Sequence, residues 1–104
     1  MTTNQASVSF DETSKELLKD PETASLYLEE CLANGDIELF KLALKHVADA
    51  QEGGMTQLAK TTGLARESLY RSLSKAGNPR LDSLTKVLDA LGLRIGVSVK
   101  GKYA

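Results

Sequence analysis

The chain has 104 residues, of which 41% are hydrophobic and 26% charged, with a formal net charge of −1. That length suits one compact domain rather than two, and no run of about 18 apolar residues is present to span a membrane. A single cysteine, Cys31, excludes an internal disulfide, and the opening "MTTNQASVSFDE" lacks the basic and apolar parts of a secretory signal, so a reducing cytoplasm is expected.

Residues 1–13 show no period and few apolar side chains beyond Val8 and Phe10, so they are expected to be mobile in the isolated protein. Residues 14–19, "SKELLK", suit a helical turn. In "DPETASLYLEECLANG", Asp20 can cap a helix, Pro21 suits its first position and Glu22 complements its positive end. Ala24, Tyr27, Leu28, Cys31 and Leu32 then form one apolar stripe. Gly35 ends that helix and Asp36 can cap the next, "DIELFKLALKHVADAQ". There Ile37, Phe40, Leu44 and Val47 share a face, with Ala43 beside them.

Gly53 and Gly54 break the pattern. "MTQLAKTTGLARESLYRSL", Met55 to Leu73, reads as two short helices joined at Gly63. "SKAGNPR" is a loop. "LDSLTKVLDALG" is a further amphipathic helix, with Leu81, Leu84, Leu88 and Leu91 inward and Gly92 as its stop. "LRIGVSVK" alternates Ile95, Val97 and Val99 with polar or small residues, which is a strand pattern.

The expected fold is therefore all-α, a single domain over 1–104 of about five helices with a C-terminal β-strand. Residues 1–20 form a flexible or partner-binding segment, 21–92 the helical core, and 93–104 the strand and tail. A lone strand leaves backbone groups unpaired. Pairing with the same strand of a second copy, through Ile95, Val97 and Val99, satisfies them across a two-fold axis; a free tail is the alternative.

The small net charge hides a split. Residues 1–52 carry four basic against eleven acidic side chains, a net of −7; residues 53–104 carry nine against three, a net of +6. Such a division suggests two partners of opposite charge, with ordinary unevenness of surface charge as the plain alternative.

A helix-turn-helix needs two helices crossing steeply over a tight turn. Gly63 supplies the left-handed backbone, Ala59 a close approach one turn earlier, and Leu69 an apolar pin six residues later. Leu58, Leu64 and Leu73 complete a small core. Thr56 and Gln57 then start the first helix, where they can grip a phosphate. Arg66, Glu67, Ser68, Tyr70 and Arg71 face outward on the second, in position to read bases. Lys75, Asn78 and Arg80 follow in a loop suited to the phosphate backbone. A plain helical hairpin with a solvated basic face is the alternative.

At these residues the chain resembles a known family. "GGMTQLAKTTGLARESLYRSLSKAGNPRLDSLTKVLDALG" is similar to the Cro/C1-type helix-turn-helix. Over roughly residues 10–99, carried by "GMTQLA", "TGLARESLYRSLS" and "GNPRLDSL", it resembles the addiction-module antidote family of HigA-like antitoxins. The resemblance implies a protein that neutralises a small RelE/ParE-like toxin and represses its own operon as a homodimer on operator DNA. One position departs: Ala65 stands where the family usually has a capping Ser or Asp, a loss of about 1 kcal/mol.

RelE-type toxins act on RNA and tend to be basic, so the acidic half suits the toxin and the basic half the operator. In the acidic start, Phe10, Asp11, Leu17 and Leu18 are the expected toxin contacts, with Phe10 as the apolar anchor. A stand-alone phage-type repressor, or an interaction module that no longer binds DNA, are the other readings.

No cofactor, metal or enzymatic activity is expected. Cys31 lies on an apolar stripe and reads as a small core residue. His46 is the only histidine, expected near the surface and without a ligand at metal-binding spacing. Gly53–Gly54 is a linker rather than a phosphate cradle.

Overall fold

Local capping decides where the chain turns into helix. The Asp20 carboxylate accepts from the Thr23 N–H at 3.2 Å and from the Thr23 hydroxyl at 2.9 Å, and Asp36 accepts from the Leu39 N–H at 2.9 Å. Each satisfies a backbone donor that the first turn cannot. The structure, a computed structural model, describes residues 12–101. Its helices are α1 (Glu12–Leu18), α2 (Pro21–Ala33), α3 (Ile37–Ala50), α4 (Gly54–Thr62), α5 (Arg66–Ser72) and α6 (Leu81–Ala90).

α3 is the central element and packs on α1, α2 and α4; α4 also packs on α5 and α6. The core is continuous through all of them. Ala24, Leu28 and Cys31 of α2 meet Phe40, Ala43, Leu44, Val47 and Ala48 of α3. Met55 and Leu58 of α4, Leu69 and Leu73 around α5, and Val87 and Leu88 of α6 extend it towards the other end. The all-helical architecture expected from the apolar periods is what forms, with six helices among the described residues.

Several expectations are corrected. Residues 93–100 form no strand, and among the described residues there is none. Alternation of side chains prepares a strand, but a ladder needs a partner backbone, and the described residues offer none. Leu81, expected inward, is 70% exposed, and Leu32 and Ile37 are exposed as well. All three sit in the last or first turn of their helices, at the edge of the bundle. "SKELLK" is more than a turn: α1 packs on α3, and Leu18 belongs to the core.

His46 is also not a plain surface residue. It is half-buried, with Nδ1 3.1 Å from the Tyr27 hydroxyl. Burial pushes its pKa down; Asp49 acts against this and Lys45 with it. Cys31 lies in the core, and burial, then Asp36 and Glu30, push its thiol up, away from thiolate chemistry.

Candidate nucleic-acid interface

The two short helices expected around Gly63 are α4 and α5. Gly63 takes φ +77°, and its N–H bonds to the Ala59 carbonyl at 2.9 Å, closing α4 in the left-handed manner glycine permits. Leu64 then packs half-buried against the core, while Leu58, Leu69 and Leu73 lie inside it. With one face of α5 pinned by Leu69, its positions 66–68, 70 and 71 are exposed, and Ser72 is half-buried. Ala65 makes no side-chain cap for α5.

All ten residues assigned to DNA from the sequence are exposed: Thr56, Gln57, Arg66, Glu67, Ser68, Tyr70, Arg71, Lys75, Asn78 and Arg80. The fold draws some of them together. Ser68, Arg71, Asn78 and Arg80 line one cleft of about 250 Å³ between α5 and the start of α6, floored by Leu64 and Leu69. Arg66 Nη1 donates to Thr56 Oγ1 at 3.0 Å, tying the start of α5 to the start of α4. Gln57 Nε2 donates to Thr61 Oγ1 along its own helix at 3.2 Å. Glu67, Tyr70 and Lys75 stand outside the cleft.

Arg80 Nε is 3.3 Å from Asp82 Oδ1, with both side chains well exposed. The hydrogen bond from Arg80, helped by the Ser83 N–H, holds the Asp82 carboxyl below its usual range. An exposed pair of this kind contributes little to stability, and a phosphate can take over the guanidinium at small cost.

The remaining sequence-assigned residues are divided. Phe10 and Asp11 lie outside the described residues. Leu17 is exposed on α1, but Leu18 is 5% exposed and its surface is spent within the core. Ile95, Val97 and Val99 are exposed on the segment after α6, Val97 at 99%. Of the three, Ile95 lines an apolar groove of about 590 Å³ between α2 and α6, together with Leu28, Leu32, Leu84, Leu88 and Leu93.

One residue of consequence was not assigned from the sequence. Lys41 of α3 is buried, and its ammonium reaches the backbone of the loop after α5. A signal existed: Lys41 is the single charged member of the stripe that includes Phe40, Leu44, Val47 and Ala48. The group that receives it lies more than thirty residues away, beyond any local pattern.

A sequence family described as "Probable addiction module antidote protein" matches residues 7–99. The chain belongs to this family. A curated protein of Haemophilus influenzae, named only as uncharacterised, is 42% identical over 82 residues, covering 79% of this chain and 82% of that protein. No solved structure matches. Membership of an antidote family suggests an antitoxin role, and such families in general have a toxin as partner. Among the described residues, no helix is long and apolar enough to cross a membrane.

Proposed function

We propose that this antidote is a DNA-binding antitoxin, which neutralises a small basic RelE/ParE-like toxin by direct contact and represses its own operon. The observation that carries the DNA part is the cleft where Ser68, Arg71, Asn78 and Arg80 converge beside the exposed face of α5. Arginine pairs with guanine edges and phosphates, and serine and asparagine hydrogen-bond to bases or backbone. α4 and α5 act as the helix-turn-helix. Arg66, Glu67, Ser68, Tyr70 and Arg71 read bases; Thr56, Gln57, Lys75, Asn78 and Arg80 hold the phosphates.

The toxin part is supported by family membership and by the charge of the other half, a net of −7 over residues 1–52. Phe10, Asp11 and Leu17 are its proposed contacts; Leu18 is buried in the core and is not among them. A homodimer fits a palindromic operator. Its proposed site is the exposed Ile95, Val97 and Val99 with the adjoining groove, covered by a second copy. The protein would act in the cytoplasm, beside its operon.

Co-expression tests the toxin arm. Growth should be rescued when this chain is produced with the small basic protein encoded next to it, and the two should co-purify. Rescue failure with both proteins soluble would exclude that pair. Sedimentation at micromolar concentration should give a dimer, and deletion of residues 94–104 a monomer; a monomeric full chain would overturn the dimer.

A further inference from the structure

Lys41 carries more than its own helix. Its side chain is 2% exposed, and its Nζ donates to three carbonyls of the loop after α5: Ser74 at 2.9 Å, Lys75 at 3.2 Å and Gly77 at 2.7 Å. Glu38 Oε2 also lies 3.0 Å from Nζ, with its side chain 52% exposed. An ammonium has three N–H donors, and here four oxygens, three of them backbone carbonyls, surround it. A charge is kept inside a protein only when such partners replace the water it loses.

The loop is shaped to meet it. A Cβ at Gly77 would overlap the Arg71 carbonyl oxygen, so the chain folds back on the end of α5 more closely than any side chain allows. Gly77 N–H bonds to the Ser74 carbonyl at 3.0 Å, and Ser74 N–H to that of Arg71 at 3.2 Å. Lys75, Asn78 and Arg80 project from this same turn.

We propose that Lys41 is a positioning residue for DNA binding, a latch from α3 that fixes the loop carrying Lys75, Asn78 and Arg80 against α5. The proposal rests on the reading of that loop as part of the DNA face. Glu38 places one partner of the latch on the acidic surface, so the two charged halves of the molecule meet at one buried ammonium.

Lys41→Met tests it, because it keeps the length and apolar stem of the side chain while removing the donors. Helix content should be retained. Amide hydrogen exchange at Ser74 and Gly77 should accelerate about tenfold or more, with the amides of α2 unchanged. Affinity for duplex DNA from upstream of its own gene should drop roughly tenfold, about the effect of one lost DNA contact. A merely structural lysine would lower the melting temperature without this selective opening of the loop. Glu38→Gln leaves the three carbonyl contacts intact and should keep slow exchange; fast exchange there would overturn the latch as drawn.

Should Lys41→Met not fold, the unmodified protein still decides the matter. With nitrogen-labelled lysine, the Lys41 ammonium should give a sharp, slowly exchanging signal, distinct from surface lysines, and its absence would overturn the proposal. An unmodified chain with no preference for that DNA overturns the DNA reading alone, and the exchange rates still decide whether Lys41 holds the loop.

Discussion

Ala65 precedes α5 without capping it. Ala65→Ser or Ala65→Asp should therefore stabilise the fold by about 1 kcal/mol, read as a higher urea midpoint at constant slope. A drop in midpoint would mean that the α5 N–H groups already have partners. His46 gives a pH dependence of definite sign. Its pKa is lowered from 6.5 by burial, with Asp49 opposing and Lys45 assisting, and Tyr27 sits 3.1 Å from Nδ1. Burial also raises the Tyr27 hydroxyl pKa, with Cys31 adding to it. As pH falls below 6.5, the unfolded chain takes up the proton first, so the folded state loses stability until its own pKa is passed. The advantage of the natural chain over His46→Gln should shrink as pH drops from about 7 to about 5.5, with carboxylate effects cancelling in the comparison. A difference that grows on acidification would contradict this.

Between α4 and the loop after α5, two glycines do different work, and their substitutions should differ accordingly. Gly63 has φ +77° but nothing within 4 Å of an added Cβ, so Gly63→Ala costs only its left-handed backbone, about 1–2 kcal/mol. Gly77→Ala collides with the Arg71 carbonyl and must move backbone, so it should cost more. Denaturation of the two variants checks the order, and a costlier Gly63→Ala would reverse the assignment. On the outward side, Arg71→Ala should lose about 1–3 kcal/mol of discrimination between base pairs if the side chain is bidentate to guanine. Lys75→Ala should weaken all duplexes alike and flatten the salt dependence. Titrations of matched and shuffled duplexes at several salt concentrations separate the two effects.

Helix starts were legible because capping is local: Asp20 and Asp36 each act on an N–H three residues on. Gly63 was legible for the same reason. The strand over 93–100 was misread because period-two alternation describes the side chains, whereas a ladder depends on a second backbone. Lys41 escaped because a helical lysine ordinarily lies at the surface, and only the loop at 74–77 reveals where this one goes.

At the scale of the whole molecule, most acidic residues fall in the part of the chain that forms α1, α2 and α3, and nine of the thirteen basic ones in the part from α4 onward, the loop after α5 included. α3 runs through both parts, with Glu38 at its acidic start and Lys41 reaching the basic loop. Opposite fields on one small body let two partners of opposite charge approach without competing for a surface, and both encounters should slow as salt rises. The exposed cleft residues, by contrast, have value only if they distinguish one DNA sequence from another. The direct measurement is therefore a competition titration at moderate salt, in which the full chain chooses between duplex from upstream of its own gene and a shuffled duplex of equal length and composition. A clear preference for the upstream duplex, reduced by Arg71→Ala, is the predicted result; equal affinity for both would contradict sequence-specific operator binding by α5.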